Sequence, residues 1–403
     1  MRGPSAADLQ LAALFCGVVG LYDVAYVVTT ITGTAMLGHR VDVLFPDFLV
    51  FHSAARAFFE GKLDIVYDTA ALTHLQNTLY AGRLPFELGF RPFLYPPVWL
   101  LALLPFGLLP VDWAIATFLM ATAAALVVAL RRIGLRSGAI LAILSAPAAV
   151  WVVLAGQNTF LSATLLYGGL ALLDRRPVLA GLLLGLLAYK PQVWLLVPLA
   201  LLAARLWWAL LALVATAAVL SLASLLLFGA DFWLSFVAAA QQAGTGTAAA
   251  EMFARVQVHM TTILAAAKIL GLGDGPAMAL QLGGAVLAVA AVIWAFGWHS
   301  SSHERTAVLV TATFLVSPYT LNYDLLLLMP AAALLFLQPS PAGYRATERP
   351  LYVLVWLIPT LCVDFNEHGV PLAPLVILLF GALACRRLAA LPKVELPAPA
   401  ATR

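Results

Sequence analysis

Apolar and polar positions fall in blocks along this chain. Runs of mostly fifteen to twenty-five apolar residues are separated by short stretches that hold most of the arginines, prolines and acids. A run of that length, wound as a helix, crosses about 30 Å of hydrocarbon, where only a helix or a closed barrel satisfies its own backbone. Twelve segments fit this description: 9–31, 111–130, 139–155, 159–173, 178–189, 193–204, 207–228, 276–298, 306–316, 323–337, 351–363 and 371–385. The pattern predicts an all-α, polytopic membrane protein with about twelve transmembrane helices. The 9–31 run is too long for a signal-peptide core and lacks a small-residue cleavage site at its end, which predicts a retained span. The segment 93–109 is also apolar, but Pro92, Pro96, Pro97, Pro105 and Pro110 make it a poor continuous helix. It is expected to form a re-entrant or interfacial hairpin whose backbone is covered by protein.

The basic residues orient this array. With the N-terminus inside, Arg131, Arg132, Arg136, Arg175, Arg176, Arg205, Arg305, Arg345, Arg349, Arg386, Arg387 and Lys393 all fall in cytoplasmic loops. A full crossing by 93–109 would turn every cluster from Arg131 to Arg305 outward. The hairpin topology also collects the polar motifs on the opposite face: a first outer loop over 33–92 with interfacial helices, the segment Arg91 to Pro97, Gly156-Gln157-Asn158, Tyr189-Lys190-Pro191-Gln192, the loop 229–258, and Ser317 to Asp324.

Composition agrees with a membrane protein and excludes several alternatives. Hydrophobic residues make up 63% of the 403 and charged residues 10%, and the mean hydropathy is +0.97. A net charge of +3 spread over short loops reports orientation and not a nucleic-acid partner. Cys16, Cys362 and Cys385 have no metal-ligand or disulfide spacing and are expected to pack. The seven histidines are scattered, with no HxxxH pair and no DxD, so neither a metal nor another cofactor is expected. Asp42 and Asp47 are the one outer-loop acidic pair that could attempt a metal site, and the expectation is against it. Residues 1–390 read as a single transmembrane domain, and the Pro- and Ala-rich 391–403 as a disordered cytoplasmic tail. The stretch 241–250 is expected to be a mobile outer loop, either closing over a substrate or an idle linker.

With so little charge available, an acid beside the bilayer calls for a reason. Asp47 lies just after the first span, in FPDFLVFHSAARAFFEGKLDIVYD. Two roles are open to it: a catalytic base, or a cap for a helix starting near Phe48. Asp42 is the nearest rival base but lacks the aromatic and small residues that follow Asp47. Asp64 and Asp68 read as turn residues.

Taken in order, the acid after span one, AARAFFEGKLDIVYD, FLYPP with PFGLLP, GQN, AGLLLGLLAYKPQ and SPYTLNYD resemble glycosyltransferase family 87, over roughly residues 9–390. That family consists of polytopic GT-C enzymes and includes polyprenol-phosphate-mannose-dependent mannosyltransferases. The resemblance implies inverting transfer at the non-cytoplasmic face of a bacterial plasma membrane, from a polyprenyl-phosphate-sugar donor to a lipid or glycan acceptor, with membrane lipids around it. It also makes Asp47 the family's first-loop aspartate. An inverting transfer needs one base within about 3 Å of the acceptor hydroxyl.

The departing lipid phosphate calls for a cation. Lys190 matches the family's KPQ and is the first candidate; the alternative is a lysine snorkelling to the interface. Arg91 is a second phosphate candidate. Arg56 is a third, although an amphipathic helix over 48–59 would give it a solvated face. Gln157, Asn158 and Gln192 can bind sugar hydroxyls or satisfy helix ends. Tyr95 and Tyr319 can stack on a sugar or isoprenoid, or sit at the interface as tyrosines do in general. The last motif departs from the mannosyltransferase pattern of histidine and tryptophan after Ser-Pro. Here Asn322, Tyr323 and Asp324 present an amide, a phenol and a carboxylate, and Asp324 can be a site residue, a second acid or a helix cap. His259, before a helix, is a substrate-site candidate or a packed polar residue. The competing class is a secondary transporter or a flippase. A carrier, however, puts its polar residues at mid-bilayer on broken helices, whereas here they gather at one surface.

Overall fold

The computed structural model describes residues 3–31, 44–84, 86–89, 91–244, 253–254, 256–300, 303–338 and 343–391. Among these the protein is built from helices and turns, with an isolated antiparallel bridge between Met260 and Leu321. Asp42, residues 245–250 of the expected mobile loop, Lys393 and nearly all of the expected tail lie outside the described residues.

Among the described residues, four helices are long and apolar enough to cross a membrane: α1 (Ala6–Ile31), α5 (Val111–Arg132), α12 (Trp207–Phe228) and α15 (Asp274–Trp298). The run expected over 139–155 is two helices, α6 (Ser137–Leu144) and α7 (Pro147–Ala155), bent by 51° at their junction, and it counts as a fifth span if the pair is one crossing. Most of the other apolar runs are shorter helices: α8 (Thr159–Leu170), α9 (Pro177–Gly185), α10 (Pro191–Trp194), α11 (Leu196–Ala203), α16 (His303–Val316) and α17 (Leu328–Leu337). Proline explains much of the division. Pro147, Pro177 and Pro191 each open a helix, where the missing N–H costs nothing, and each would break a longer one. The molecule is therefore an all-helical membrane protein of several spans.

The proline-rich 93–109 segment contains one continuous helix, α4 (Pro97–Gly107), with Pro105 in its last turn. The prolines bracket it more than they interrupt it: Pro96 is its N-cap and Pro110 is the N-cap of α5. At eleven residues it is about 16 Å long, roughly half of what a crossing requires. It packs against α2 (Pro46–Phe59), where the small residues of SAARAF allow close approach. A Cβ on Gly107 would stand 2.6 Å from that of Ala55. The helix α3 (Thr69–Leu79) completes this unit, capped by Asp68, whose Oδ1 accepts from the Ala71 N–H at 3.0 Å.

Behind this unit, α9 and α12 pack closely. A Cβ on Gly181 would run into the Ala209 carbonyl, and one on Gly185 would stand 2.6 Å from the Leu213 carbonyl. Two glycines four apart let backbones touch where lipid gives no hydrophobic drive for association. The chain leaving α9 is thereby held in place, and it leads directly into Lys190. The remaining helices, α13 (Ala230–Gly244), α14 (Ile263–Ile269), α18 (Arg349–Glu367) and α19 (Ala373–Ala389), complete the chain. One contiguous apolar core, from Phe48 to Leu388, runs through most of the helices.

Candidate functional site

The site begins with an unusual helix start. Phe45 adopts a left-handed backbone, φ 56°, and its N–H donates to the Leu154 carbonyl at 2.9 Å. A non-glycine residue there costs about 1–2 kcal/mol, and the clamp to α7 holds it. On the other side of the clamp, Gly156 ends α7 at φ 70°. It lies so close to α2 that a Cβ would stand 2.6 Å from that of Phe48. The glycine of the GQN motif therefore brings the end of α7 against the start of α2, which sets Gln157 beside Asp47.

Asp47 is the second residue of α2 and is half-buried. It caps no helix: the cap position belongs to Phe45, and the Asp47 carboxylate turns to Gln157, whose Nε2 donates to Oδ2 at 2.8 Å. Among the described residues Oδ1 accepts no hydrogen bond. The same Gln157 nitrogen donates to the Tyr323 hydroxyl at 3.1 Å, while Gln157 Oε1 accepts from the Tyr95 hydroxyl at 3.1 Å and from the Asn158 N–H at 3.0 Å. Both donors and both lone pairs of the amide are used, so its orientation is fixed.

Tyr95 is held from behind. Its carbonyl accepts from the Tyr67 hydroxyl at 2.8 Å, and its ring meets Phe51 edge-on at 5.2 Å. Arg91 is half-buried, and its backbone is tied to α3 through Thr73 and Gln76, at 3.3 Å each. Burial is the main effect on Asp47 and raises its pKa. The Gln157 hydrogen bond and the positive charges of Arg91 and Lys190 work against this, and the negative charge of Asp324 adds to it. Burial likewise raises the pKa of Tyr95 and Tyr319, which stay phenols.

The neighbouring residue, Asn158, faces a second acid. Its Oδ1 accepts from Lys190 Nζ at 3.1 Å; the same ammonium donates to Asp324 Oδ1 at 2.5 Å and to Thr159 Oγ1 at 3.4 Å. Lys190 is fully buried, so it does not snorkel, and each of its three hydrogens has an acceptor within the protein. Asp324 is also occupied: Thr159 Oγ1 donates to its Oδ1 at 3.3 Å and the Leu321 N–H to its Oδ2 at 3.2 Å. It closes the 322–327 turn and pairs with the lysine at once. Trp99 stacks on Tyr189 at 4.4 Å, and the Tyr189 hydroxyl meets Ser162 Oγ at 2.8 Å, which fixes the residue before Lys190.

The remaining candidates lie around this centre. Asn322 is buried and turned to α18, donating to the Pro359 carbonyl at 3.1 Å while accepting from the Tyr323 N–H at 3.0 Å. Tyr319 is half-buried in a Ser317 turn, and its phenol feels the charges of both Asp47 and Asp324. His259 stands edge-on to Trp151 at 5.6 Å, and burial lowers its pKa. Its segment is tied by Asn366 to three carbonyls, at 2.9, 3.0 and 3.3 Å. Gln192 is half-buried in the first turn of α10, with no hydrogen bond from its side chain among the described residues. Arg56 pairs with Glu60 at 3.4 Å on the half-exposed face of α2. One participant was not anticipated, Thr159, which adjoins Asn158; Tyr323 was noted as the phenol of the last motif but given no role.

The arrangement holds one carboxylate with an oxygen left open, within range of the positive charges of Arg91 and Lys190, and a second carboxylate paired with the buried Lys190. Among the described residues no three His, Cys, Asp or Glu side chains converge as a metal site would require. Searches of curated proteins and of solved structures give no match. The sequence model of glycosyltransferase family 87 matches residues 93–318, more than half of the chain, including Tyr95, Gln157, Asn158, Lys190, Gln192 and His259. On that match the chain belongs to glycosyltransferase family 87, of the GT-C type.

Proposed function

We propose that this glycosyltransferase transfers a sugar, mannose in our reading, from a polyprenyl phosphate to a lipid or glycan acceptor with inversion, at the non-cytoplasmic face of a single twelve-crossing domain. Asp47 Oδ1 takes the proton of the acceptor hydroxyl as that oxygen bonds to the anomeric carbon. The bond from that carbon to the phosphate oxygen breaks, and its electron pair leaves with the polyprenyl phosphate. The proton on Asp47 then passes to water. Arg91 stabilises the charge left on the phosphate. Tyr95, Gln157, Asn158, Gln192, His259, Tyr319, Asn322 and Asp324 line or support the sugar site. The observation that carries this reading is a half-buried Asp47 with one oxygen fixed by Gln157 and the other without a partner, close enough to Arg91 to feel its charge. A base needs such a free oxygen on a fixed carboxylate.

The donor class is tested by supplying purified protein in lipid nanodiscs with radiolabelled mannose on a polyprenyl phosphate or on a nucleotide, together with membrane lipid extract. Label passing to acceptor from the lipid donor alone is the expected result. Transfer from the nucleotide sugar at an equal rate would overturn the donor assignment.

A further inference from the structure

Gln157 and Asn158 are consecutive residues serving two different acids. Gln157 holds Asp47. Asn158 takes a hydrogen from Lys190, which is locked to Asp324. The two systems meet again on the other side, because Tyr323, next to Asp324, accepts from Gln157. The Lys190 ammonium also lies 5.7 Å from the centre of the Tyr323 ring. A closed circuit thus runs from Asp47 through Gln157, Asn158, Lys190, Asp324 and Tyr323 back to Gln157, and it contains the only buried Lys–carboxylate ion pair among the described residues. A lysine kept for the donor phosphate would present hydrogens to open space, but all three hydrogens of Lys190 are taken.

We propose that Lys190 and Asp324 are positioning residues: a buried ion pair that fixes the Gln157–Asn158 loop, and through it the carboxylate of Asp47, leaving the donor phosphate to Arg91. This rests on the reading of Asp47 as the base. The pair has a second consequence. The charges of Lys190 and Asp324 reach Asp47 with opposite sign, the first lowering its pKa and the second raising it, so in an intact pair the two oppose each other at the base and in a broken one a single charge acts alone. The other charged and titratable groups facing Asp47 are Arg91, Tyr95, Tyr319 and Tyr323. On α2 itself, His52 is taken up by Tyr80 and the Leu109 carbonyl, and Arg56 by Glu60.

The test compares transfer by the wild type, Lys190→Met, Asp324→Asn, Lys190→Met/Asp324→Leu and Asn158→Ala, in nanodiscs, as a function of pH and of polyprenyl-phosphate-mannose concentration. Each single change at the pair should lower kcat on the order of 10²-fold through misplacement of the base, with the donor KM little changed. The acid limb of the rate profile should move up in pH for Lys190→Met, which leaves Asp324 unbalanced, and down for Asp324→Asn, which leaves Lys190 unbalanced. In the double variant the limb should return to the wild-type midpoint although the rate stays reduced. A raised donor KM in Lys190→Met with an unmoved limb would make the lysine a phosphate ligand and overturn the proposal. So would a double variant whose limb stays with that of Lys190→Met. Where a single variant does not fold, the double variant and Asn158→Ala decide: Asn158→Ala keeps the pair and cuts its link to the loop, so kcat should fall with the limb in place, and an unchanged kcat would overturn the proposal. If Asp47→Asn itself transfers at the wild-type rate, the underlying reading of the base is what fails.

Discussion

At the start of α2, Asp47 gives one oxygen to Gln157 and keeps the other without a partner, half-buried beside Arg91. In the 322–327 turn, Asp324 has both oxygens occupied, by Lys190, Thr159 and the Leu321 N–H, and is almost fully buried. The two carboxylates belong to one polar centre and are linked through Gln157 and Tyr323, yet their surroundings separate them. A saturated, ion-paired carboxylate has no vacancy for a substrate proton. A fixed carboxylate with one open oxygen has. The comparison illustrates how two acids in one site are assigned different work by environment and not by type.

The most forceful way to break this comparison is to neutralise each acid in turn. Asp47→Asn should cut transfer by about 10²–10⁴-fold, the usual contribution of a general base, while the protein stays folded. Asp324→Asn should lower kcat on the order of 10²-fold and in addition cost about 3–5 kcal/mol of stability, because the buried Lys190 loses its counterion. Thermal melts beside the transfer assay distinguish the two. Equal losses of activity and equal melts in both variants would erase the difference drawn here.

Glycine 156 offers a way to move one acid without touching it. Gly156→Ala forces a side chain into a left-handed backbone, about 1–2 kcal/mol, and places a Cβ 2.6 Å from that of Phe48. Asp47 and Gln157 should separate, and kcat should fall on the order of 10²-fold with Lys190 and Asp324 still paired. A wild-type kcat in that variant would show that the clamp does not matter.

The pH dependence sharpens the comparison further. Burial raises the Asp47 pKa above the ordinary aspartate value of 3.8, so transfer should rise with pH through a midpoint above that value. A group raised on folding favours the folded state most below its unfolded pKa, and that contribution is lost as pH rises through the folded pKa. Asp47→Asn should therefore gain in melting temperature over the wild type as pH rises across this range, by a few degrees at most. Melts of both proteins from acid to neutral pH check the sign; parallel curves would mean that burial does not weigh on Asp47.

The smallest effect belongs to His259. Its side chain packs edge-on against Trp151, worth about 0.5–1.5 kcal/mol. His259→Ala should lower stability by about that much, with transfer changed only a few-fold. A loss as large as that of Asp47→Asn would promote the imidazole to a part of the chemistry.

The polar centre was legible in the sequence because polar residues are scarce in so apolar a chain. Asp47, Gln157, Asn158, Lys190 and Asp324 stand out against their surroundings, and the structure brings all of them together. Their pairing was not legible: nothing in GQN says that the glutamine turns to one acid while the asparagine turns to the lysine of another. Thr159 was passed over as the neighbour of a better-marked residue, although a hydroxyl directly after GQN was an available signal, and Tyr323 was noted as a phenol without its link to Gln157. The capping alternative for Asp47 failed because the helix begins two residues earlier than Phe48, at Pro46, behind a left-handed Phe45 held by its hydrogen bond to Leu154. The runs of hydropathy marked the apolar segments well but not their lengths as helices, since Pro147 starts a new helix inside the apolar run 139–155. Whether two short helices make one crossing is decided by packing, as in the contact of Gly181 and Gly185 with α12.

The central claim, that the open carboxylate of Asp47 is the base, is tested most directly by transfer from polyprenyl-phosphate-mannose by wild-type protein and Asp47→Asn at matched, folded concentrations. Transfer by the wild type that is lost in a variant with an undiminished melting temperature is the predicted result. Unimpaired transfer by a folded Asp47→Asn protein would contradict it.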